Sequence, residues 1–116
     1  MVVQETIATW RPEIGAELAE ARAELAAAEA EMQSAAAAAR SAAAARHAMR
    51  RAMERLGSRT MAAALAWRVQ ACEEELRRSD ASLRRAQQAL ASIRARVEGL
   101  SLASAQLDTI DCPEAS

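Results

Sequence analysis

The sequence has no phenylalanine, no tyrosine and no lysine, and its only aromatic residues are Trp10 and Trp67. Globular cores lean on aromatic and branched side chains. A chain without them cannot fill a thick core, but it can fill a thin seam between helices. With lysine absent, arginine carries every basic charge apart from the one histidine, which reads as the imprint of a GC-rich bacterial genome. The two cysteines, Cys72 and Cys112, stand forty residues apart and form no disulfide framework. No apolar run approaches the roughly 18 residues of a membrane span. The opening Met1, Val2, Val3 is followed at once by Gln4 and Glu5, which is no secretion-signal pattern. These absences lead to the expectation of a cytoplasmic protein. The net charge of −1 gives no bulk mandate for nucleic acid or membrane binding.

What the sequence does have is alanine, 33 residues in 116, together with leucine, arginine, glutamate, glutamine and methionine. These are the best helix formers. Charge is unevenly spread. Residues 1–31 hold seven acids and two arginines, whereas 40–59 hold six arginines and one glutamate.

Two long helices are predicted. Thr9 can cap the first, with Pro12 tolerated in its first turn and Glu13, Glu17 and Glu20 favoured near the positive end of the dipole. No breaker follows before Leu56, so this helix is expected over about 10–56. Gly57 suits a left-handed cap, and Ser58 and Thr60 are candidate caps for a second helix. The turn is expected over 57–61. The second helix is expected over about 62–98, continuing to about 108 if Gly99 only weakens it. A loose tail is expected at 111–116, beyond the stop at Asp111, Cys112 and Pro113.

Apolar positions recur in heptads. In the first helix one row is Leu18, Leu25, Met32, Ala39, Arg46 and Met53, and the other is Ile14, Ala21, Ala28, Ala35, Ala42, Met49 and Leu56. In the second the rows are Ala62, Val69, Leu76, Leu83, Leu90 and Val97, and Leu65, Cys72, Ser79, Ala86, Ile93 and Leu100. A period of 3.5 predicts left-handed supercoiling. Folding the chain back near Gly57 with facing residues numbered to add to 118 sets Ala21, Ala28, Ala35 and Ala42 against Val97, Leu90, Leu83 and Leu76. Large against small fills a seam without voids. The stretch SAAAAARSAAAAR, residues 34–46, then becomes one half of a complementary pair. The fold class expected is all-α, a single-domain antiparallel two-helix coiled coil. One helix running straight through Gly57 in a homodimer is the structural alternative. Arg46 occupies a seam site, where its stem packs and its guanidinium reaches out toward Glu73 or Glu75. At the edges Glu24 can reach Arg96, while Arg22 and Arg94 lie close and repel.

An alanine-rich two-helix hairpin buries little, so further helices, from its own copies or from a partner, are expected beside it. The outer side of the first helix offers small residues such as Ala16, Ala23, Ala37 and Ala44. The ends bring Val2, Val3, Ile7 and Trp10 near Leu100, Leu102, Leu107 and Ile110, as a closing cluster or a docking patch. Trp67 projects outward from the second helix and is a candidate hot spot, with Trp10 a second. Arg77, Arg78, Arg84 and Arg85 repeat after seven residues on that helix and, with Arg68, make a basic stripe about 25 Å long by helix rise. Such a stripe could follow phosphates, but no aromatic series accompanies it for base stacking. It better fits a solvated face, or a strip that meets the acidic half of another copy.

Chemistry finds little support. His47 stands among arginines, and Cys72 in the seam behaves as a small hydrophobe. Glu73, Glu74 and Glu75 cannot point one way on a helix. No phosphate-cradling glycine loop and no hydrolase or zinc-protease motif occurs. No catalytic residue, metal site or cofactor is expected. The reading is a non-catalytic interaction or structural subunit, acting as a homo-oligomer or within a complex. In architecture the hairpin is similar to the short coiled-coil stalk proteins of flagellar and type III secretion export ATPases, which would imply an adaptor of a secretion or export apparatus; no motif carries that likeness. A secreted helical-hairpin substrate has similar architecture, but the turn here lacks W-x-G. Nucleic-acid or phosphate binding through the arginine stripe is the remaining alternative.

Overall fold

The computed structural model describes the backbone of residues 2–56 and 59–111 and the side chains of 6–55 and 63–110. It is an all-α hairpin of two long antiparallel helices, α1 (Val2–Leu56) and α2 (Arg59–Asp111). Among the described residues there is no strand. The chain divides into two compact units, Met1–Glu29 with Ala89–Ser116 and Ala30–Gln88.

Helix α1 starts at Val2, not near residue 10. Thr9 is therefore not its cap, and Pro12 lies in the interior rather than the first turn. Pro12 has no N–H to give to the carbonyl of Ala8. Tertiary contacts explain why the helix continues regardless. Ile7, seven residues before Ile14 on the same heptad row, is buried. Arg11 donates to the Leu107 carbonyl at 3.3 Å and pairs with Asp108 at 3.6 Å. Helix α2 starts at Arg59, three residues before the expected 62. Nothing in the stretch from Arg59 to Met61 opposes helix, and Thr60 sits inside it rather than capping it. It runs through Gly99, because Leu100 and Leu107 keep the seam in step beyond it and Leu107 is buried. It ends at Asp111, where the coming proline disfavours helix at Cys112. Gly57, Ser58 and the tail at 112–116 lie outside the described residues.

The heptad rows become the buried sides. Every described seam position in both helices is buried or half-buried. Among the described residues off the rows and their seven-residue extensions, only Thr6, Glu29, Ala36, Glu73, Ser101 and Ala103 are not exposed. In the first unit Ile7, Leu18, Ala21, Ala28, Leu90 and Leu107 form the core, with Ala21 at 0% and Leu90 at 3% exposure. Among the described residues of the second unit the buried positions are all small: Ala39, Ala42 and Ser79. Its larger seam residues, such as Leu76 and Leu83, stay half-exposed.

Edge contacts give the alignment. Arg11 meets the backbone of Leu107, whose number with 11 adds to 118, as the facing layers require. Arg96 donates to Glu24 at 3.0 Å, a pair adding to 120. Arg94 pairs with Glu29 at 3.9 Å and Arg50 with Glu73 at 2.7 Å, both adding to 123. Offsets of two and five belong to the two flanking edges of antiparallel heptads, so all three edge pairs agree with one seam register. Partner numbers fall along α2 as they rise along α1, which is the antiparallel sense. The expected repulsion of Arg94 and Arg22 gives way to the Glu29 pair. Arg46 is half-buried as expected, but Glu73 takes Arg50 and Glu75 takes Arg78.

Candidate functional site: exposed faces of the hairpin

In the second unit, the heptad that turns Leu76 and Leu83 inward turns Trp67 and four arginines outward. Trp67 is 62% exposed, and the Arg68 guanidinium lies 5.4 Å from the centre of its ring. An exposed cation–π contact of this kind is worth about 0.5–1 kcal/mol; it holds the indole against its own helix while leaving most of the ring bare. Arg77, Arg78, Arg84 and Arg85 are all exposed. Arg78 donates to Glu75 at 2.9 Å, and Arg85 to the Ser82 hydroxyl at 3.2 Å. Half of the stripe therefore has local partners on its own helix, while Arg77 and Arg84 point to water.

The first unit divides the expected end cluster. Ile7 and Leu107 go inside and Leu100 is half-buried, whereas Trp10, Leu102 and Ile110 are 52%, 62% and 56% exposed. The side chains of Val2 and Val3 lie outside the described residues. Trp10 and Ile110 add to 120, as Glu24 and Arg96 do, so they share the edge marked by that ion pair. The end is closed by Ile7, Leu107 and the Arg11 bridge, and carries an apolar strip on one edge. Arg11 was missed as a closing residue in the sequence. The signal was present: it stands seven residues before Leu18 on a seam row, where the layer adding to 118 sets it against Leu107.

Among the described residues, no group of three or more histidine, cysteine or acidic side chains converges as a metal site. His47 is exposed, and Cys72 is a half-buried free thiol. No helix, among the described residues, is long and apolar enough to cross a membrane.

The fold defines the class of an antiparallel helical hairpin with its bulky apolar groups outside as well as in. No protein-family model matches the chain, and no curated protein or solved structure matches it either.

Proposed function

We propose that the chain is a non-catalytic interaction or structural subunit that binds other helices side-on, as a homo-oligomer or within a larger assembly. The carrying observation is surface. Among the described residues four large apolar side chains stand exposed, Trp10, Trp67, Leu102 and Ile110, and the buried positions of the second unit are all small. Added helices would cover both. Trp67 is the anchor in this reading, because a large rigid ring with a polar edge is the commonest kind of interface hot spot. A cytoplasmic setting suits a chain with two cysteines and no disulfide pattern.

Affinity purification from the native cell with mass spectrometry names the partner, whether a copy of the chain or another helical protein. Trp67→Ala is expected to change unfolding stability by no more than about 1 kcal/mol, the size of the lost Arg68 contact, and to reduce the recovered partner. Unchanged recovery would remove Trp67 from the interface. A chain that stays monomeric and recovers no partner would remove the reading.

A further inference from the structure

The outward side of α2 in the second unit repeats the spacing of the seam. Trp67, Gln70, Glu74, Arg77, Ala81 and Arg84 are separated by three and four residues in turn, so they form two adjacent heptad rows, and all are exposed. The charges on these rows are open as well. Among the described residues Arg78 donates to Glu75 and Arg85 to Ser82, whereas the side chains of Glu74, Arg77 and Arg84 make no hydrogen bond or ion pair. The Arg68 guanidinium lies 5.4 Å from the centre of the Trp67 ring, yet that residue stays 62% exposed.

The two rows are complementary to themselves when one is reversed. Trp67 with Arg84, Gln70 with Ala81, and Glu74 with Arg77 have numbers that each add to 151. Facing residues of an antiparallel heptad pair keep a constant sum. Two copies aligned on 151 therefore set each Trp67 against an Arg84, each Ala81 against a Gln70 and each Glu74 against an Arg77. Every contact is made twice, and at the centre two Glu74 and two Arg77 alternate in sign. A slip of one heptad loses this match: with a sum of 144 Glu74 faces Gln70, and with 158 Arg77 faces Ala81. On the flanks the alignment brings Arg78 toward Arg78 and Glu73 toward Asp80, but Glu75 already neutralises Arg78 and Arg50 neutralises Glu73. From Ala63 to Gln88, α2 carries five arginines and four acids, so the two stretches meet nearly neutral.

We propose that this face of α2 docks the same face of a second copy of the chain, antiparallel and about a twofold axis between Glu74 and Arg77. This deepens the reading above, and rests on it, by making the partner a copy of the chain and giving Trp67 its seat. The whole face lies within the second unit. A twofold interface requires a patch that complements itself, and the sign-matched pairs supply one. A parallel pair would instead set Glu74 on Glu74, Arg77 on Arg77 and Arg84 on Arg84, like charge on like throughout, which is unfavourable. In the antiparallel pair Arg84 of the other copy adds a second cation to a ring that Arg68 leaves largely bare.

Sedimentation velocity of the full chain tests it. A dimer is expected at about 0.1 M NaCl and should weaken toward about 1 M, as the screening length falls from about 10 Å to about 3 Å. Glu74→Arg alone and Arg77→Glu alone each put like charges at the axis and should weaken the dimer at least about tenfold. An equimolar mixture of the two, or one chain carrying both, restores opposite charges and should restore the dimer. Trp67→Ala should weaken it too, with no such rescue. Circular dichroism reports whether each variant stays helical, and rescue by the double variant separates a lost contact from a lost fold. A monomer at low salt, a dimer indifferent to the single reversals, or a failure of both rescues overturns the proposal. So does a monomer that instead binds a short nucleic-acid duplex through Arg77 and Arg84. If the chain is monomeric yet recovers a different helical partner, and less of it after Trp67→Ala, self-docking fails and the subunit reading stands.

Discussion

Ala21 has no exposed surface and Leu90 has 3%, so the first unit is held by a methyl group and an isobutyl group that are both fully used. Enlarging one or shrinking the other should cost stability for opposite reasons. Ala21→Leu forces extra atoms into a closed seam and is expected to cost about 1–3 kcal/mol. Leu90→Ala leaves a gap and should cost about 2–5 kcal/mol. Urea unfolding followed by circular dichroism measures both, and a neutral result for either would show that the seam is looser than its burial implies. The edge pairs are a different matter. Glu24 and Arg96 are each close to half exposed, so Glu24→Gln should change stability by less than about 1 kcal/mol. Seam residues could be read from the heptads because burial repeats with the helix. The Glu29 and Arg94 pair could not, because edge contacts depend on side-chain reach, and a long arginine chooses among neighbours only once the backbones are set.

At the scale of the helix, the interior positions of Pro12 and Gly99 give separate tests. If α1 began near Thr9, Pro12 would occupy a tolerated first-turn position and its replacement would do little. With α1 starting at Val2, Pro12 is interior, and Pro12→Ala should stabilise the chain by up to about 3 kcal/mol and raise its helicity. No gain in melting temperature or in the far-ultraviolet helical signal would argue for the shorter helix. Gly99 sits inside α2, and a methyl group added there meets nothing within 4 Å. Gly99→Ala is therefore expected to stabilise by about 0.5–1 kcal/mol, through reduced freedom of the unfolded chain and better helix propensity. Local capping signals place a helix start where the chain could begin one. The Ile7 burial and the Arg11 bridge extend it past that point, and neither is a local property.

For the molecule as a whole, four large apolar side chains stand exposed among the described residues, and their burial between copies can be tested by concentration. If copies associate through native surfaces, the melting temperature should rise with protein concentration at low salt, since association stabilises the folded form by mass action. A melting temperature constant over a wide concentration range would mark an isolated hairpin. Composition and heptad spacing determined that this chain is helical and which residues line a thin alanine-and-leucine seam, because a period of seven can bury only one side of a helix; that the chain folds back into a hairpin, and does not run straight through Gly57, was decided by the tertiary structure. The true helix start, the closing role of Arg11 and the choice of edge partners were decided only by the fold, because each joins residues from opposite ends of the chain.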